Sequence, residues 1–199
     1  SEWAALARLS TRMSVANGIL MSKLCYLIQL WGGTEGYLLH ALQVIQNRAA
    51  RAVTRLSWFT PTRTLLNKCK WLSVKQLVVY HRVLTTHKVV KNKAPMYLYN
   101  KMNNSHPYET RQATEGGIRF AEQFGVKSKL ARNSFCCGGT LEYNKLPADV
   151  RAAKSIEVFK YKLKKNYRFL SIYTDEDSQT LYKKFCFLKY RRLLIFLYL

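Results

Sequence analysis

Asp175, Glu176 and Asp177 stand together, and a run of carboxylates is what a two-metal centre for phosphodiester chemistry would need. The chain has only three aspartates, Asp149, Asp175 and Asp177, and the run sits just before an expected helix start. Capping and attraction to the helix macrodipole account for it there without a metal. His81 and His87 are six residues apart on an expected helix, so they point in different directions and miss the H-x-x-x-H spacing of zinc ligands. Cys136 and Cys137 are adjacent, with no second pair at C-x-x-C spacing, so a zinc knuckle is not expected. No G-x-x-x-x-G-K phosphate loop occurs. The expectation is a chain without a catalytic site of its own, and without a metal or other cofactor.

Binding chemistry is better represented. In ALQVIQNRAARAVTRLSWFTPTR, residues 41–63, a rotation of about 100° per residue puts Arg48, Arg51 and Arg55 on one stripe beside an apolar arc. Guanidinium groups reach phosphate oxygens bidentately. The Thr60-Pro61 pair marks a helix start whose free N–H groups, with Arg63 close by, also favour an anion. A second patch is FKYKLKK, where Lys160, Lys162, Lys164 and Lys165 surround Tyr161, and Tyr167 and Arg168 follow. Interleaved rings and cations suit RNA, the rings stacking on bases while the cations neutralise phosphates. Tyr161 is left open between that role and a core position, and the arginine stripe between a backbone grip and a solvated charged face. The closing segment, with Lys183, Lys184, Lys189, Arg191 and Arg192 beside Phe185, Phe187 and Leu188, admits an acidic membrane surface as a lesser alternative.

The whole composition agrees with a polyanion partner. The 199 residues carry 33 Lys+Arg against 11 Asp+Glu, a formal net charge of +22, while 48% hydrophobic content is too high for a disordered basic tail. Five cysteines, an odd number outside any paired framework, read as reduced intracellular thiols. No signal-peptide pattern opens the sequence, and LLIFLYL at 193–199 falls short of the roughly 20 residues a membrane span needs. A chain opening at Ser1 rather than Met is expected to be a piece excised from a longer one.

The elements that must position these residues are helical. One segment runs from about Ser10 to Trp31 and stops at Gly32-Gly33; the next runs from about Thr34 to Leu56, burying Leu38, Leu42, Ile45, Ala49, Ala52 or Val53, and Leu56. Thr60 caps a short helix to about Lys70 with Pro61 at its first position, and Ser73 with Gln76 forms a capping box for a helix through Leu77, Val78, Leu84 and Val89 to about Lys91. Pro95 permits a further short helix, about 96–102. Over 103–147 periodicity is lost, and IRFAEQF and SFCCGGTLEY read as short strands between glycine pairs. Helices return with Pro147 opening PADVRAA, with Ser155 capping a segment whose Ile156, Phe159 and Leu163 share a face, and again from about Asp177. The expectation is a mainly α protein: a helical bundle over 1–102, then a C-terminal region over 103–199 consisting of the loop and short-strand insert and the closing helices.

The blocks SKLCYLIQLWGG, LQVIQNRAARAV, TPTRTLLNKCKWLSVKQL and YNKLPADVRAAKSIEVFKYKLK, in that order, resemble the region after the polymerase palm in LINE-type (non-LTR) retrotransposon reverse transcriptases. The resemblance spans about residues 8–165; Tyr143 stands where the family's R-x-W-N-x-L-P block has Trp, and the tail from about Ser171 falls outside it. It implies a thumb-like segment and a following region that help to hold template RNA and an RNA–DNA duplex in target-primed reverse transcription. It also implies upstream palm and fingers bearing the catalytic aspartates, a parent RNA-directed DNA polymerase that uses Mg, and an intracellular ribonucleoprotein, nuclear or cytoplasmic. The alternative is a scaffold module, a domesticated fragment docking acidic proteins or membrane.

Overall fold

A computed structural model describes residues 2–102 and 128–165, with the backbone alone described at 2–7, 130 and 165. IRFAEQF, Tyr167, Arg168, the carboxylate run and the closing basic segment lie outside the described residues. The protein is mainly helical, and among the described residues no strand occurs.

The Ser73 capping box forms as the sequence predicts: the Gln76 N–H donates to Ser73 Oγ (3.3 Å) and the Ser73 N–H donates to Gln76 Oε1 (3.0 Å). It starts helix α6, Val74–Asn92, in which Leu77, Val78, Leu84 and Val89 are buried, and so are Gln76, Arg82, Thr86 and His87. A helix buried on most of its circumference is a hub rather than a surface element. Around it pack α3 (Ile28–Trp31), α4 (Gly36–Thr54), α7 (Met96–Met102), α9 (Phe135–Asn144) and α11 (Ile156–Lys165). The remaining helices are α1 (Glu2–Ala16), α2 (Ser22–Cys25), α5 (Thr62–Cys69), α8 (Lys129–Arg132) and α10 (Ala148–Arg151).

Three local expectations are corrected. The first segment is not one helix from Ser10 to Trp31. Helix α1 begins at Glu2, passes through a π-helical turn at Asn17–Met21 into α2, and the chain then breaks at Leu27, whose φ is 48°. Long-range contacts hold these irregularities: Trp71 Nε1 donates to Asn17 Oδ1 (2.9 Å), and Ile28 is fully buried against Leu77 and Val78.

SFCCGGTLEY is not a strand, because residues 135–144 form α9 against α6. Its glycine pair serves close approach. A Cβ on Gly138 would stand 2.8 Å from Arg82 Nη1, and one on Gly139 would stand 2.9 Å from Thr86 Oγ1. The missing side chains let two buried polar residues of α6 lie against the backbone of α9, outweighing the roughly 1 kcal/mol that each glycine costs a helix.

Thr60 does not cap α5. Pro61 occupies the N-cap position itself, Thr62 is the first helical residue, and no side chain caps the turn.

The C-terminal expectations hold where described. The Val158 N–H donates to Ser155 Oγ (3.2 Å), and Phe159 and Leu163 are fully buried with Val79, Val83 and Leu84 of α6, Ile156 packing against the same cluster. Burial of side chains of this size contributes about 1.5–3 kcal/mol each. A second cluster joins Ala50 and Val53 of α4 to Leu65, Leu66 and Cys69 of α5 and to Trp71, with Leu9 and Met13 of α1 against it.

Candidate nucleic-acid interface

Helix α4 buries only part of the arc that its apolar spacing suggests: Val53 is buried, and Ala49 and Leu56 pack against the same core cluster. Leu38 and Ile45 are exposed, and the buried positions are Gln46, Asn47, Ala50 and Val53. The cause is a polar seam. Gln46 Nε2 donates to the Leu72 carbonyl (2.8 Å), Gln43 Nε2 donates to Gln46 Oε1 and Asn47 Oδ1 (2.9 Å each), and Gln43 Oε1 accepts from the Val74 N–H (2.8 Å). Backbone groups between α5 and α6 need partners once they leave water, and the amides of α4 supply them. The helix is thereby rotated about its axis relative to the sequence expectation.

Asn47 Nδ2 donates to Thr62 Oγ1 (3.1 Å), which pins α4 to the first turn of α5. Each of these bonded residues is followed by an exposed arginine, Arg48 and Arg63. At the far end of α4, Arg55 adopts a φ of 53° while its N–H still donates to the Arg51 carbonyl (2.7 Å). A left-handed conformation costs a non-glycine residue roughly 1–2 kcal/mol, and here it turns the chain sharply toward α5.

Between Arg55 and α5 lies a turn, Ser57–Thr60, that apolar periodicity does not reveal. The Thr60 N–H donates to the Ser57 carbonyl (3.1 Å), so Trp58 and Phe59 take the two central positions of a β-turn. The Phe59 N–H also approaches Ser57 Oγ (3.4 Å). Trp58 is 66% exposed and Phe59 92% exposed, and the guanidinium carbon of the partly buried Arg51 lies 4.7 Å from the Trp58 ring centre. The available signal was two adjacent aromatics between an arginine-bearing helix and a proline-marked start, a place where turn residues are normally small and polar.

Of the arginine stripe, Arg48 and Arg55 are therefore exposed, Arg63 joins them from α5, and Arg51 is engaged with Trp58. No acidic residue occurs between Glu35 and Glu109, so α4, the turn, α5 and α6 contribute cations alone.

The second predicted patch stands on α11, which packs on α6 and α10. Tyr161 is 66% exposed and so is not a core residue. Lys164 is exposed and Lys160 partly buried, while Lys162 Nζ donates to the Asp149 carbonyl (2.7 Å), tying α11 to α10. The Lys165 side chain lies outside what is described.

No group of three or more His, Cys, Asp or Glu residues that could hold a metal ion occurs among the described residues. Burial raises the thiol pKa values of Cys25 and Cys69, which keeps these cysteines protonated and poorly nucleophilic. His87 sits in the core of the bundle. It is fully buried, its ring stacked on Phe159 at 3.8 Å between centroids, with Nδ1 3.2 Å from the Tyr143 hydroxyl. Among the described residues no helix is long and apolar enough to cross a membrane. Compared with known protein families, with curated proteins and with solved structures, the chain has no match in any of the three.

Proposed function

We propose that this chain is a non-catalytic nucleic-acid-binding segment, the thumb-like and following part of a LINE-type reverse transcriptase, holding template RNA or an RNA–DNA duplex by its phosphates. The observation that carries the reading is the corner formed by α4 and α5, where Arg48, Arg55 and Arg63 are exposed around an aromatic turn in a stretch free of acids. Such a surface repels cations and protein basic patches, and gains from releasing the counterions condensed on a polyanion. Its place would be an intracellular ribonucleoprotein, beside the palm and fingers of the parent polymerase, where the Mg chemistry resides.

Binding to RNA is expected to weaken steeply with salt. Contact with about 5 phosphates gives a log–log slope of roughly −3.5 for a single strand and −4.5 for a duplex. Arg48→Glu with Arg63→Glu should reduce affinity and flatten that slope by about 1 or more. An affinity indifferent to salt, or to the paired substitution, would remove the reading.

One observation favours a scaffold module instead. Tyr26 and Leu27 just before α3, Leu30 within it, and Tyr37 and Leu38 at the start of α4 are exposed large apolar side chains, as a docking face would be. Flotation with anionic vesicles and capture by acidic protein surfaces, in the absence of RNA binding, would favour that second reading.

A further inference from the structure

The turn Ser57–Thr60 spends two large apolar side chains on solvent. Full burial of a side chain such as phenylalanine is worth about 1.5–3 kcal/mol, and Phe59, at 92% exposed, obtains almost none of it. The turn is nevertheless well fixed, by the Thr60–Ser57 backbone hydrogen bond, by the left-handed Arg55 on one side and by Pro61 on the other. Arg51 lies over the Trp58 ring and restrains the indole while leaving most of it open. The result is a pair of aromatic rings presented at a turn apex, near three exposed guanidinium groups that carry no ion pair among the described residues: Arg48, Arg55 and Arg63.

We propose that Trp58 and Phe59 form a stacking platform for unpaired nucleobases, so that this corner takes a single-stranded segment of RNA whose phosphates lie on Arg48, Arg55 and Arg63. The inference rests on the nucleic-acid reading above and states which form of nucleic acid the site selects. In a duplex the base faces are already stacked on one another and the ring faces of a protein find nothing to cover, whereas every unpaired base offers a π-face. Charge selects against the other classes that exposed aromatics could serve: a stretch from 36 to 108 without an acid disfavours a basic peptide, and the phosphates of a flexible strand can follow arginines on two helices. Arg51 acts through Trp58 and is a positioning residue, while Arg48, Arg55 and Arg63 meet the backbone.

The test uses the full chain with three probes: oligouridylate, a blunt RNA duplex with the same number of phosphates, and phosphatidylserine-rich vesicles. Oligouridylate should bind about 10-fold or more tightly than the duplex and should quench tryptophan fluorescence. Trp58→Ala with Phe59→Ala should lower oligouridylate affinity about 10-fold or more, leaving duplex affinity and the thermal unfolding midpoint nearly unchanged. Trp58→Tyr, which keeps a stacking ring, should retain most of the binding. Equal losses on both RNA probes, or none, while Arg48→Glu with Arg63→Glu still weakens binding, would overturn the stacking platform and leave the phosphate grip standing. Binding to vesicles alone, abolished by the aromatic substitutions, would overturn both.

Discussion

The guanidinium carbon of Arg51 lies 4.7 Å from the centre of the Trp58 ring, joining the last turn of α4 to the turn that follows it. A contact of this kind is worth about 0.5–1 kcal/mol where partly exposed, enough to bias an indole without clamping it. Arg51→Leu should therefore cost little stability, on the order of 1 kcal/mol or less, while increasing the mobility of the Trp58 side chain and weakening oligouridylate binding severalfold. Nitrogen relaxation of the Trp58 indole measures the first effect directly; unchanged indole order would mean that Arg51 does not hold the ring.

Burial, with a smaller contribution from Lys91, lowers the His87 pKa to about 4 from the usual 6.5. The unfolded chain thus binds a proton that the folded protein refuses between those values, and stability is present above pH 6.5 and is lost as pH falls toward 4. The difference corresponds to on the order of 3 kcal/mol. Burial raises the pKa of Glu142, a change of the opposite sign with pH, so the effect is best read as a difference between two proteins. His87→Phe, which keeps a ring against Phe159, should show a much flatter fall in urea midpoint from pH 6.5 to 4 than the parent chain. Parallel curves would show that His87 is not the group responsible.

Arg82 is buried beside Glu142, with Nη1 3.5 Å from Oε1 and Nη2 donating to the Asn133 carbonyl (2.6 Å). Removing one member of a buried pair strands the other, at a cost of about 3–5 kcal/mol. Arg82→Leu should destabilise by that order at pH 8 and by distinctly less at pH 5. Burial already raises the Glu142 pKa and Arg82 opposes the rise, so without Arg82 the carboxyl takes up a proton more readily and escapes the unpaired charge. Chemical denaturation at the two pH values checks this; an equal loss at both would mean that Glu142 is not the stranded group.

Gln46→Leu offers the clearest contrast between pattern and packing. Apolarity at this position would improve the amphipathic spacing of α4, yet it removes the donor to the Leu72 carbonyl and the acceptor for Gln43. A loss of about 1–3 kcal/mol is expected, read from the thermal or urea midpoint. A stabilised variant would show that the seam is not needed to seat α4 on α6.

Features set by neighbours within one or two helical turns were legible in the sequence. The Ser73–Gln76 capping box, the Ser155 cap, the extents of α4 and α7 to within about two residues, and the shared face of Ile156, Phe159 and Leu163 all follow from spacing and hydrogen-bonding chemistry that act locally. Arg48 and Arg51 do lie on α4, but Arg55 has left the helix in a left-handed conformation, so the 100° spacing does not fix where its side chain lies.

Tertiary structure decided what those helices met. Gly138 and Gly139 read as a break between strands because their nearest neighbours in the chain offer no reason for a helix; the reason is Arg82 and Thr86 on another helix. Leu27 lies in a run with no glycine or proline, and its left-handed turn follows from the burial of Ile28 against Leu77 and Val78. Trp58 and Phe59 reveal their exposure only when Ala50, Val53, Leu65 and Leu66 have closed the core without them. By itself the sequence determined a basic chain of helices and the residues that carry its charge. Which side of each helix faces water, and hence which arginines and which rings can meet a ligand, was decided by contacts between residues far apart in the chain, whose hydrogen bonds and packing outweigh the local apolar pattern.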